Sequence, residues 1–176
     1  MSIVTRTGDK GKTSLYCCAR VDKDDVRIEM CGALDEVSSF LGMAKSLVKD
    51  KKVKDIIDST QRDLVLIGTE VATRREFIKK VKKRICDEEV CSLEEAIEAL
   101  EGGGKIKFTT FSMPGESTLS SAFDIARAVT RRAERRSATL LKKKVISNHN
   151  ILVYLNRLSD LLYLLARKHG MRKDSI

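Results

Sequence analysis

Apolar residues recur along this chain at helical steps. From Gly32 onward Leu34, Val37, Phe40, Leu41, Ala44 and Leu47 return every three or four positions, which predicts a first amphipathic helix. Val53, Ile56, Ile57, Leu64, Ile67 and Val71 predict a second over 52–73. A third is expected over 92–100, where Ser92 followed by Glu95 fits a capping box and Gly102-Gly103-Gly104 supplies the stop. Two long helices follow, over 118–143 and 147–168, the last closed by Gly170. It carries the apolar stripe Leu152, Leu155, Leu158, Leu162 and Leu165, suited to the core of a bundle. Residues 1–31 have no such period and read as extended and looped. Residues 74–91, with Lys79-Lys80-Val81-Lys82-Lys83-Arg84, are the least regular part, and a charge run of that kind usually makes a solvated face.

Composition agrees with the period. With 176 residues the chain suits one domain with a sizeable core, and one proline, no tryptophan and 5% aromatics favour a mostly helical protein. A formal charge of +9 calls for anionic partners, or for a heavily charged solvated surface. The five cysteines (Cys17, Cys18, Cys31, Cys86, Cys91) are odd in number and contain no Cys-x-x-Cys, so reduced thiols in the cytoplasm are expected. Neither His149 nor His169 stands at ligand spacing from a cysteine, so no metal site from cysteine or histidine is expected. No apolar run reaches membrane-span length, and no targeting segment is expected.

The candidate chemistry lies in four places. Thr5-Arg6-Thr7-Gly8-Asp9-Lys10-Gly11-Lys12-Thr13-Ser14 concentrates glycines, hydroxyls and cations, as a polyphosphate requires. Only two residues separate Gly8 from Gly11, so it is not a P-loop. It is either a nucleotide loop of another design or a solvated turn. Arg127, Arg131 and Arg135 fall four apart on one helix, with Glu134 beside them. Guanidinium forks match phosphate oxygens, but they could equally pair with Asp35 or Asp160 on neighbouring helices. Asn156 and Asp160 share a face with Tyr163 and Arg167, either for helix–helix hydrogen bonding or for a ligand. Phe111-Ser112-Met113-Pro114-Gly115 could pack on a flat apolar ligand or plug a bundle end. No nucleophile–base pair stands out, so an enzyme of this sequence would take its nucleophile from a substrate and contribute positioning and charge.

In this order the blocks resemble ATP:cob(I)alamin adenosyltransferases of the propanediol-utilisation type. The N-terminal run looks like that family's nucleotide loop and Gly32-Ala33-Leu34-Asp35-Glu36-Val37-Ser38-Ser39 like its first-helix signature. Arg127–Arg136 is similar to its arginine helix and Asn156–Asp160 to its last-helix motif. The resemblance implies an all-α five-helix bundle with an extended N-terminal nucleotide loop (1–31 preceding a bundle over 32–170). It implies a homotrimer with sites between subunits and transfer of the adenosyl group of ATP to reduced cobalamin, releasing triphosphate. Carried onto this chain, Thr5, Arg6, Thr7, Gly8, Thr13, Ser14 and Lys23 would hold ATP from one subunit. Arg131, Arg132, Ala133, Glu134, Arg135 and Asn156 would hold it from the next, with Mg²⁺ bridging the phosphates near Glu134. Arg131, Arg127, Asp35 and Phe111 would be catalytic, Arg127 pairing with Asp35 to order the interface and Phe111 sitting by the corrin ring. An electron donor and an adenosylcobalamin-dependent enzyme are the implied partners, with neither nucleic acid nor membrane. The chain departs from the pattern at Glu116, Ala33 and Leu34 and matches little over 74–108. Competing expectations are a basic helical nucleic-acid-binding module and a non-catalytic ATP or cobalamin carrier; the module is disfavoured by the scarcity of stacking aromatics.

Overall fold

Asp25 starts the first helix. Its carboxylate accepts from the Arg27 backbone N–H at 2.9 Å and from the Arg27 guanidinium at 2.8 and 3.1 Å, which satisfies an orphan donor of the first turn. In this computed structural model, describing residues 3–17, 19–102 and 113–170, helix α1 therefore runs over Val26–Leu47. It begins six residues before the expected Gly32, because the cap lies in the acidic run that reads as loop. Asp50 caps α2 (Lys51–Val71) in the same way.

A 3-10 turn over Arg75–Lys80 occupies part of the irregular stretch. Helix α3 spans Asp87–Glu101. Its cap is not Ser92, whose hydroxyl donates back to the Glu88 carbonyl inside the helix at 3.0 Å. Glu89 instead folds back, its carboxylate accepting from the Cys86 backbone N–H at 3.0 Å, and the helix starts five residues early. Gly102 closes it in the left-handed conformation (φ 56°, ψ 40°), a stop that glycine adopts without strain. Helix α4 (Thr118–Lys142) opens on a reciprocal box: Ser120 N–H donates to the Ser117 hydroxyl at 3.0 Å and Ser117 N–H to the Ser120 hydroxyl at 3.3 Å. Helix α5 covers Asn150–Gly170.

These five α-helices pack as a bundle in which α4 lies against both α1 and α5, α3 covers α5, and α2 covers α1. The core draws Met30, Val37 and Leu41 from α1, Ile57 and Ile67 from α2, Phe123, Ala126 and Ala133 from α4, and Leu155, Leu158 and Leu162 from α5. Each fully buried large side chain of this kind contributes roughly 1.5–3 kcal/mol. A polar pair crosses the core here: the Tyr154 hydroxyl donates to Asp63 at 2.9 Å, tying α5 to α2.

Residues before α1 form a short antiparallel hairpin, β1 (Lys12–Ser14) with β2 (Arg20–Asp22), in register Thr13 to Val21. The Tyr16 N–H donates to the Ala72 carbonyl at 3.0 Å, so the hairpin is hung from the C-terminal end of α2. Among the described residues, no helix is long and apolar enough to cross a membrane.

Candidate functional site

The hairpin gathers Thr5, Arg6, Thr7, Gly8, Thr13, Ser14 and Lys23 onto one small unit. Arg20 organises it: its guanidinium donates to the Thr7 carbonyl at 2.7 Å, the Lys12 carbonyl at 3.3 Å and the Ser14 hydroxyl at 3.4 Å. The Thr5 and Thr7 hydroxyls lie 3.0 Å apart. Lys23 returns over the loop, its backbone N–H donating to the Gly11 carbonyl at 2.9 Å. A Cβ on Gly8 would come within 3.2 Å of the Lys23 ammonium, so glycine there lets the cation close over the backbone. Gly11 has φ +72°, a conformation that favours glycine. Lys12 is matched by Asp22 at 2.7 Å. Thr5, Arg6, Thr7, Ser14 and Lys23 are exposed, so the hydroxyls and cations are presented outward.

On α4 the arginines divide into two groups. Arg132 pairs with Glu36 at 2.6 Å and Arg136 with Glu29 at 2.8 Å, fastening α4 to α1 at the surface. Arg131 and Arg135 are exposed and take no salt bridge among the described residues. Arg127 and Arg131 line a cavity of about 320 Å³ on the α5 side with Glu101, Ser159, Asp160 and Tyr163. Desolvation pushes the Asp160 carboxyl above its ordinary range, Arg157 and Arg131 pulling it back and Glu134 adding to the rise. The Glu134 carboxylate accepts from Asn156 at 3.1 Å, and Asn156 accepts from Arg157 at 2.8 Å. So the arginine helix and the last-helix motif meet through their polar residues.

Ala133 is fully buried, its side chain in the core face of α4. Arg127 does not reach Asp35 in its own chain: its Nε lies 3.6 Å from Asp124, and Asp35 is exposed with no ion pair among the described residues. Phe111 lies outside the described residues. The four described cysteines are free thiols. Cys31, half-buried against α2, is pushed up to about 11, chiefly by desolvation and then by Asp35. Cys86, Glu88 and Glu89 bring one ligand atom each within 4.8 Å of one another, but Glu89 is already engaged by Cys86 and by Lys83 at 3.0 Å. Arg20 is the residue that sequence reasoning missed. Its short-strand position gives no sign of the three acceptors it gathers.

No hydrogen bond or ion pair among the described residues joins the hairpin to the arginines of α4. The chain thus carries two separate clusters of exposed donors, one of hydroxyls and cations on the hairpin, the other of guanidiniums on α4.

Comparison with known proteins places these surfaces in context. The family model described as cobalamin adenosyltransferase matches residues 3–169. A corrinoid adenosyltransferase of Citrobacter freundii is 34% identical over 166 residues, spanning 94% of this chain and 93% of that protein. Corrinoid adenosyltransferase PduO of the same organism is 36% identical over 178 residues; all of this chain matches, spanning about half (52%) of that relative's length. Among solved structures, a variant of a PduO-type ATP:corrinoid adenosyltransferase from Lactobacillus reuteri, complexed with cobalamin and ATP, superposes with a TM-score of 0.86. It is 30% identical, with 96% of this chain and 91% of that chain covered.

Proposed function

This chain belongs to the cobalamin adenosyltransferase family, and we propose that it transfers the 5′-deoxyadenosyl group of ATP to the Co(I) centre of a reduced corrinoid. The C5′–oxygen bond of ATP breaks, a cobalt–carbon bond forms with the electron pair of Co(I), and triphosphate leaves with the other pair. The observation that carries this reading is the division of the α4 arginines. Arg132 and Arg136 are tied to α1, while Arg131 and Arg135 are exposed without a salt bridge among the described residues, and Arg131 lines a cavity. Like charges clustered in this way favour a polyanion, and bidentate forks suit phosphate oxygens.

The hairpin supplies the other half of the site. Thr5, Arg6, Thr7, Gly8, Thr13, Ser14 and Lys23 hold the triphosphate of ATP, with Arg20 keeping the loop in shape. Since the two surfaces are not joined within one chain, the site forms between copies, in keeping with a homotrimer: the hairpin of one copy meets Arg131, Arg132, Glu134, Arg135 and Asn156 of the next. Asp35, unpaired in its own chain, is the partner for Arg127 across that interface. Phe111 belongs to the corrin side. Glu134, fixed by Asn156, is a hard carboxylate oxygen beside the arginines and fits Mg²⁺, which when bound neutralises phosphate charge. Arg131 offsets the charge that develops on the departing triphosphate, and the paired surfaces hold the reactants in line. The protein acts in the cytoplasm, receives its reduced corrinoid from an electron donor and hands its product to an adenosylcobalamin-dependent enzyme.

The test is an anaerobic assay with chemically reduced cobalamin, ATP and Mg²⁺. A light-sensitive cobalt–carbon product together with free triphosphate is expected. Absence of the cobalt–carbon bond under these conditions overturns the reading, and binding of both ligands without product marks a carrier instead.

A further inference from the structure

Where α4 begins and α5 ends, one buried carboxylate serves two guanidiniums. Asp124, on the first turns of α4, is 6% exposed at its side chain. One of its oxygens bonds Arg167 of α5, itself 5% exposed, and the other lies 3.6 Å from Arg127 Nε. Arg167 is held further by Glu116 at 3.7 Å and lies over the Tyr163 ring, 5.6 Å from its centroid. Arg127 Nε and Arg167 Nε and Nη1 are buried with no acceptor in hydrogen-bonding range among the described residues. The cluster has more donors than acceptors, so Arg167 cannot leave Asp124 without stranding charge in a dry environment, while Arg127, 31% exposed at its side chain, keeps its Nε buried beside the same carboxylate.

Asp124 is not itself part of the wall of the 320 Å³ cavity, but the residues it governs are. Arg127 lines that cavity one helical turn from Arg131, and Tyr163, beneath Arg167, lines it from α5. We propose that Asp124 is a positioning residue for the transfer reaction, its carboxylate aiming Arg127 and, through Arg167, Tyr163 into the cavity between α4 and α5. The proposal rests on the activity argued above. Arg131, assigned to ATP, walls the same cavity, but Arg127 and Tyr163 are outside that set, so the effect of Asp124 is read at the corrinoid.

The experiment compares Asp124→Asn with Asp124→Glu, each alone and in an Arg127→Ala background. Misaiming a group by about an ångström costs up to about 100-fold. A rise in KM for the reduced corrinoid of about 10-fold or more is expected in Asp124→Asn, with KM for ATP unchanged and partial recovery in Asp124→Glu. In the Arg127→Ala background Asp124→Asn should add less than it costs alone, the remainder passing through Arg167 and Tyr163, since residues acting through one another are not additive. The Arg127 Nε–H resonance should shift in Asp124→Asn and return towards its native position in Asp124→Glu. Should Asp124→Asn not fold, Arg167→Lys, which keeps the charge and loses the fork, is expected to raise the corrinoid KM more mildly. An unchanged corrinoid KM in folded variants, equal effects with and without Arg127, or a static Nε–H resonance would each overturn the proposal. A wild-type protein without transfer activity would sink the functional reading alone, leaving the resonance to test the positioning.

Discussion

Arg131 and Arg132 are adjacent in sequence, and a helix sends them to different tasks. Successive residues stand about 100° apart on a helix, so Arg132 meets Glu36 on α1 while Arg131 faces the cavity beside Asp160. Their replacement by alanine should therefore have different signatures. Arg131→Ala is expected to lower kcat by about 10²–10³, the loss typical of a group that stabilises transition-state charge. Its melting temperature should stay near that of the wild type, because an exposed side chain without a salt bridge contributes little to stability. Steady-state kinetics beside a thermal melt checks this, and near-normal turnover would remove Arg131 from the catalytic set. The face of Arg127, Arg131 and Arg135 was legible in the sequence. That Arg132 and Arg136 would be taken up by carboxylates was not, because Glu36 and Glu29 precede them by about a hundred residues and meet them only through the packing of α1 on α4. Glu116 shows the same limit. In sequence it is a departure from the family pattern; in the fold it pairs with Arg167 and lies so close to Gly170 that a Cβ there would come within 2.1 Å of its carboxylate.

At the scale of elements, helical periods were readable because they report burial. Leu34, Val37 and Leu41, and likewise Leu155, Leu158 and Leu162, all lie in the core. Helix starts were less readable because capping depends on single side chains. Asp25 sat unnoticed in a charged run, and Ser92 offered the right letters inside a helix that had already begun. The actual start of α3 makes its own prediction. Burial works to raise the Glu89 carboxyl, but the Cys86 thiol and backbone N–H and the Lys83 ammonium outweigh it and hold the group at about 2, below its ordinary 4.5. Folding thus favours the ionised form. The resulting stability is full above pH 4.5 and fades as pH falls towards 2. Glu89→Gln should cost on the order of 1 kcal/mol near neutral pH, as for a lost helix cap. The gap from wild type should close through that acidic window, which urea melts at several pH values would follow. A gap that stayed constant with pH would mean the carboxylate charge is not what holds the start of α3.

At the scale of the molecule, the donor-rich hairpin and the arginine face of α4 stand apart, and the functional reading needs a second copy to unite them. Co-expression tests this directly. A copy disabled in the hairpin (Arg20→Ala with Lys23→Ala) and a copy carrying Arg131→Ala should each be nearly inactive alone. In random mixed assemblies about a quarter of the sites draw an intact hairpin from one kind and an intact arginine face from the other, and activity should recover to about that fraction. No recovery in proven mixed oligomers would place the whole site within one chain.

The surface fastening of α4 to α1 has a consequence for ionic strength. Arg132–Glu36 and Arg136–Glu29 are roughly half exposed, and charges so placed are screened within a few ångströms at high salt. Added salt weakens the pull of Arg131 and Arg135 on a polyanion, and in the same range it loosens the two arginines beside them from their carboxylates. The helix thereby holds two cations in reserve, released as the other two lose reach. Its grip on a highly charged ligand should decline with salt less steeply than four freely exposed arginines would dictate.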